Sequence, residues 1–218
     1  MDELSFVNVL EEVFKNKGYL TSREVAAGYG RADLVIGKLN PDHYSIRVNN
    51  QQSTLLLKER YFEVLRNLPD INENVEPMHI AELIDRISFS DNYLKTFIIR
   101  FLEEHGYVKR IENNFLYKVN GWLPMTSEVV AIEAKLNDWK RGILQANRYK
   151  SFADKVYLAL PERSAHLVDV SMLKKLNVGL YVLRETGKVI EKVRASKRSK
   201  PLSDKRNYVS ELLWGYAG

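Results

Sequence analysis

Cysteine is absent from this 218-residue chain. That excludes disulfide bonds and thiolate metal sites together, and it suits a reducing compartment. Long apolar runs are missing too, none approaching the ~20 residues that a membrane-spanning helix needs. The chain opens on Met1-Asp2-Glu3, acidic where a secretory signal is basic. These absences lead to the expectation of a cytoplasmic protein with no membrane partner. Histidine is scarce, and His43, His79, His105 and His166 share no metal-ligand spacing, so they receive no site role. Neither sign of charge dominates: the formal net charge is +5 and the isoelectric point is near 9.2. Such an excess permits nucleic-acid binding without demanding it. The length allows one large or two small domains.

What is present is organised around residues 129–135. Their β-branched apolar character and strict alternation read as a strand, with Ala131, Glu133 and Lys135 on one face and Val130, Ile132 and Ala134 on the other. A carboxylate and an ammonium one pleat apart at the end of a buried strand need a partner or a metal, because burying either costs several kcal/mol. The plainer reading makes Glu133 and Lys135 the wet end of an edge strand. Upstream, Asp33 interrupts a second apolar segment, residues 32–39, behind the turn formers Gly28-Tyr29-Gly30. Downstream, Asn137 and Asp138 offer an N-cap for an amphipathic helix running to about Phe152, with Gln145 and Tyr149 one turn apart. A further strand covers residues 155–160.

This ordered set resembles the PD-(D/E)XK nuclease superfamily, the restriction-endonuclease-like α/β fold with a mixed sheet flanked by helices. Asp33 would be the acid on the second strand, Glu133-Ala134-Lys135 the E-x-K on the third, and Gln145 with Tyr149 the Q-x-x-x-Y of the exonuclease-like branch. Ala32 stands where the eponymous Pro would be, and one hundred positions separate Asp33 from Glu133, so something is inserted between them. The resemblance implies Mg²⁺ or Mn²⁺ held by Asp33, Glu133 and the backbone carbonyl of Ala134. Glu11, on a first helix over residues 4–17 whose apolar stripe is Phe6, Val7, Leu10, Val13 and Phe14, would reach the metal through water; a solvated flank is its other reading. Lys135 would orient or help deprotonate the attacking water, or stabilise transition-state charge. Gln145 and Tyr149 would lie just outside the metal shell, although Tyr149 serves equally well as core packing.

Residues 43–48 are expected to extend the sheet, which divides the chain into 1–50 with 121–218 as the nuclease-like domain and 51–120 as an insert. Within the insert, helical patterns around Leu57 to Leu68 and residues 79–87 precede a third helix with inner face Leu94, Phe97, Ile98, Phe101 and Leu102. A hairpin follows, turning at Asn113-Asn114. This rhythm resembles a winged helix-turn-helix domain. The resemblance implies DNA contact through Asn92, Tyr93, Lys95, Thr96, Arg100 and an exposed Ile99, with Lys109, Arg110 and Lys118 of the wing on phosphates. Winged helices also serve as protein-binding modules, and Ile99 would suit an interface. Residues 188–206 hold eight Lys or Arg against two acids. There Lys197, Arg198 and Lys200 belong either to an arm that tracks a phosphate backbone or to a solvated basic loop. The expected function is a metal-dependent DNA nuclease, with a homodimer or a protein partner open. The alternative is a catalytically silent DNA-binding regulator or protein-binding adaptor that keeps the fold.

Overall fold

The computed structural model describes residues 1–197 and 204–215. In chain order the elements are α1 (Glu3–Lys15), β1 (Leu20–Ala26), β2 (Arg31–Leu39), α2 (Pro41–Asn49), α3 (Glu59–Asn67), β3 (Met78–His79), α4 (Ile80–Arg86), α5 (Asp91–Tyr93) and α6 (Arg100–Glu104). Then come β4 (Val108–Ile111), β5 (Phe115–Lys118), β6 (Thr126–Ala134), α7 (Trp139–Arg148), β7 (Lys155–Pro161), α8 (Glu162–Ala165), α9 (Val170–Lys175), β8 (Gly179–Leu183), β9 (Val189–Val193) and α10 (Asp204–Gly215). Two compact units result: Met1–Leu39 with Thr126–Gly218, and Asn40–Met125.

The first unit is a six-stranded mixed sheet in the order β1-β2-β6-β7-β8-β9. β1, β2 and β6 run antiparallel; β7 and β8 continue parallel to β6; β9 closes the far edge antiparallel. Helix α1 starts where Asp2 Oδ1 accepts the Ser5 N–H at 2.7 Å, and the chain turns away at Gly18, whose φ is +76°. Its buried stripe, Phe6, Val7, Leu10 and Phe14, covers one sheet face at Leu34, Ile36, Val130 and Ile132. On the opposite face α7 and α10 pack Ile143, Ala146, Val209 and Leu213 against Val35, Val129, Ala131 and Leu158. Burial on both faces explains why β6 reads as a nearly unbroken apolar run. Helix α10 is tied down by a buried ion pair: Arg206 Nη2 lies 2.8 Å from Asp154 Oδ2, which also accepts the Val129 N–H at 2.8 Å. Arg206 is therefore a core anchor, although it falls in the basic window expected to be an arm or loop.

The second unit contains α2 to α6 and a small antiparallel sheet ordered β3-β5-β4. Its limits differ from the expected 51–120, and the cause is residues 43–48, which form part of helix α2 rather than an added strand. Asn40 caps that helix by accepting the His43 N–H at 3.3 Å, and Pro41 occupies its first turn. Arg47 is buried and donates to Gln52 O at 3.2 Å, Leu123 O at 3.4 Å and Tyr107 Oη at 2.5 Å. Those partners bind α2 into the second unit. The third helix is also corrected. α5 and α6 are joined without a break by a π-helical turn, Leu94–Ile99. The wider turn rotates the face that follows it. Ile99 is fully buried with Leu94, Ile98 and Leu102, while Phe97, expected inside, is 57% exposed. The β4–β5 turn holds Asn113 and Asn114 at φ +58° and +62°.

Candidate active site

The register of the central strands assembles the site. The last β2–β6 pair is Leu34 with Ile132, so one step further sets Asp33 beside Glu133, both side chains on the same face. There the ladder gives way to a side chain: the Ala134 N–H donates to Asp33 Oδ2 at 2.7 Å. Lys135 follows Glu133 by one pleat. Its Nζ lies 2.8 Å from Glu133 Oε1, 3.2 Å from the Ala134 carbonyl oxygen and 3.6 Å from Glu3 Oε2. Glu133 is 1% exposed.

Helix α7 supplies the roof. Tyr149, just past its end, is buried and donates its hydroxyl to Glu133 Oε2, with Arg31 O 2.7 Å away. The β1–β2 turn lets the ring in: a Cβ at Gly30 would stand 3.1 Å from Tyr149 Cε1. Tyr149 is therefore core packing and a carboxylate holder together. Gln145 lies one turn earlier, and its buried Oε1 has no hydrogen-bond partner among the described residues.

Burial, reinforced by the neighbouring Glu133 charge, pushes Asp33 up from the ordinary 3.8 to about 6, against the opposing pull of the Ala134 N–H and Lys135. For Lys135, burial favours the neutral amine, but Glu133, Asp33 and Glu3 outweigh it and hold the group above its ordinary value. It is an ammonium at neutral pH, suited to stabilising charge rather than abstracting a proton. Tyr149 is raised by burial and by Glu133, so it stays a neutral donor.

A hard divalent cation fits this donor set. Mg²⁺ needs only one or two carboxylates and keeps several waters, and Asp33, Glu133 and the Ala134 carbonyl are all oxygen donors converging from adjacent strands. Glu133 Oε1 is buried without an aligned hydrogen bond, and the Lys135 ammonium 2.8 Å away also reaches the Ala134 oxygen. A protein cation thus already rests on two of the three donors. No group of three or more His, Asp or Glu able to hold a metal occurs among the described residues, so the fit is to a water-rich ion and not to a fully protein-ligated one. Glu11 is not part of this cluster. It accepts from Thr21 Oγ1 at 2.8 Å and pairs with Arg23 at 3.1 Å and Lys15 at 3.2 Å. The first-helix acid that does approach is Glu3, which lies before residue 4, where the sequence reading began the helix.

In the second unit Asn92, Lys95, Thr96 and Arg100 are exposed and Tyr93 is half-buried. Several are already engaged locally: Asn92 with Thr96 at 3.2 Å, Lys95 with Asp91 at 4.0 Å, Arg100 with Glu104 at 2.8 Å, and Arg110 with Glu103 at 2.8 Å. Lys109 is exposed and Lys118 half-buried. The Arg60 guanidinium covers the Tyr93 ring at 4.9 Å, and Tyr93 meets Phe97 at 5.5 Å. Lys197 Nζ reaches Ser127 O at 3.5 Å; Arg198 and Lys200 lie outside the described residues. Among the described residues no helix is long and apolar enough to cross a membrane. No family model, curated protein or solved structure matches this chain.

Proposed function

We propose that the chain is a divalent-metal-dependent DNA nuclease of restriction-endonuclease-like fold, with Asn40–Met125 a winged-helix module inserted between β2 and β6. One observation carries this reading: Asp33 and Glu133, one hundred positions apart, meet on one sheet face with Lys135 between Glu133 and the Ala134 carbonyl. The antiparallel β1-β2-β6 meander followed by α7 and β7 also supports this reading.

In this reading Asp33, Glu133 and Ala134 O hold Mg²⁺ or Mn²⁺. The ion, when bound, supplies Lewis-acid stabilisation of phosphoryl charge and a more acidic water. Lys135 would present its ammonium to the phosphate oxygens, where a preorganised positive charge stabilises the developing negative charge. Tyr149 keeps Glu133 Oε2 fixed, so the carboxylate meets its ligand in a single orientation. Glu3 Oε2, 3.6 Å from Lys135 Nζ, gives that ammonium a second anionic neighbour.

The test is cleavage of plasmid and oligonucleotide DNA in Mg²⁺ or Mn²⁺. Wild type is expected to cut, and Glu133→Ala to lose at least about a hundredfold in rate, the usual scale for removing one electrostatic contributor. Wild type and variant alike failing on every substrate would reject the nuclease reading. A second reading, a protein-binding adaptor that retains the fold, is favoured by the exposed Phe97 on the third helix and by the internal pairing of Lys95, Arg100 and Arg110.

A further inference from the structure

Helix α1 ends at Lys15, before it has covered the whole of its sheet face. Beyond it lies an open hollow of about 400 Å³, within the usual range for small-molecule sites. Alternation along β6 puts Glu128 and Val130 on this face and Glu133 on the other. The hollow and the acidic site therefore lie on opposite faces of one sheet.

Its floor is buried and aromatic. Tyr157 and Tyr181 stack with ring centroids 4.1 Å apart, beside Ile36 and Val130. Around that floor stand Lys38, Lys155, Arg194 and Lys197, against two acids, Glu128 and Glu191. Both acids are occupied: Glu128 Oε1 pairs with Lys155 at 2.9 Å, and Glu191 Oε1 accepts from the Tyr157 hydroxyl at 2.5 Å. Lys38 sits over the Tyr19 ring at 5.0 Å, and Lys197 Nζ reaches the Ser127 carbonyl. Lys38, Arg194 and Lys197 have no carboxylate partner among the described residues. With Glu128 balanced by Lys155 and the Glu191 charge still present, the lining keeps an excess of two positive charges over an aromatic floor, which raises the positive potential in the hollow. A second hollow, at the β1 edge, shows the contrast: its Lys15 and Arg23 are both taken by Glu11.

We infer that this hollow binds phosphate groups of a nucleotide-sized ligand, at a site separate from the acidic trio. Multiple charge suits it better than a single carboxylate, because three flexible cations spread around one rim can each meet a different oxygen. Being open, the site is screened by salt. The ligand is either a free polyphosphate compound or the 5′-phosphate end of a strand, and the two share the same chemistry. The inference stands whether or not the protein cuts DNA.

The test is calorimetric titration of the full chain with inorganic tripolyphosphate, ATP and a 5′-phosphorylated oligonucleotide, without divalent metal. Wild type and Glu133→Gln should both bind at least one probe saturably and lose affinity as salt rises. The double variant Lys38→Glu/Arg194→Glu should weaken that binding by about tenfold or more. Lys38→Gln/Arg194→Gln repeats the test without charge reversal should the first variant fold poorly. Binding of tripolyphosphate and ATP alone identifies a free polyphosphate; preference for the oligonucleotide identifies a strand end. No saturable binding of any probe, equal binding by the neutral pair, or loss of binding in Glu133→Gln would overturn the inference.

Discussion

Asp33 is the residue at which the proposed function and stability pull apart. Its carboxyl is raised to about 6, first by burial and then by Glu133, so the fold disfavours its charged form. A raised acid contributes its full stability below the ordinary 3.8, and that contribution is lost as pH climbs through about 6. Asp33→Asn removes the titration and keeps an acceptor for the Ala134 N–H. Denaturant melts in metal-free buffer should show variant and wild type nearly equal in acid. Above pH 6 the variant should be more stable, by about 1–3 kcal/mol. Added Mg²⁺ should then stabilise wild type and leave the variant unmoved. A wild type more stable than the variant at neutral pH without metal would show that Asp33 is not held at such cost. The acid's place on a strand could be read from the turn formers before it and the apolar run after it. Its protonation balance could not, because that depends on Glu133 and Lys135 arriving from a hundred positions away.

Helices α7 and α10 hold this site and its sheet by contacts that local pattern does not reveal. Gly142 lies inside α7, where replacing Gly by Ala normally stabilises a helix by up to about 1 kcal/mol. Here a Cβ would stand 2.6 Å from Leu158 Cδ1 and 3.0 Å from Lys135 Cγ. Gly142→Ala should therefore lower stability by about 1–3 kcal/mol. Displacing Lys135 should also slow any metal-dependent cleavage, which separates this effect from simple loss of fold when rates are compared well below the melting point. In α10, Arg206→Ala leaves Asp154 charged and buried, and thermal melts should show a loss of about 3–5 kcal/mol. Truncating both partners should cost less than the sum of the single changes. The sequence shows apolar Val209, Leu212, Leu213 and Trp214 near its end. It does not distinguish Arg206, locked in the core, from the exposed Lys188, Lys192, Arg194 and Lys197 of the same basic stretch.

At the scale of the whole molecule, the chain leaves the sheet at Leu39 and returns at Thr126, and these two residues are register partners. Paired strand ends lie only about 5 Å apart, so a tight turn can join them. Replacing Asn40–Met125 with a short hairpin should leave a cooperatively folding sheet unit that retains cation-dependent stabilisation, as measured by circular dichroism melts with and without Mg²⁺. An unfolded product would show that the sheet unit depends on the insert. The insertion was legible from the separation of Asp33 and Glu133, which no plain hairpin needs. Its edges were misplaced, because the alternating apolar residues between 43 and 48 mimic a strand. The cap at Asn40 and the proline after it were the signals for a helix, and the burial of Arg47 among Gln52, Tyr107 and Leu123 assigned that helix to the insert.

By itself, the sequence determined the kinds of elements and much of their order, because helical and strand periods, caps and turn residues act over a few neighbouring positions. It also determined that Glu133 and Lys135 point the same way, since alternation along an extended segment admits no other choice. Only the tertiary structure decided that Asp33 stands beside Glu133, that Lys135 rests on two of the three metal-suited oxygens, and that Glu3 rather than Glu11 comes near. Those outcomes depend on strand register and on packing between distant segments. The π-helical turn that buries Ile99 and exposes Phe97 belongs with them: one wider turn of backbone reverses an inside–outside assignment that the period of an ordinary helix predicts the other way.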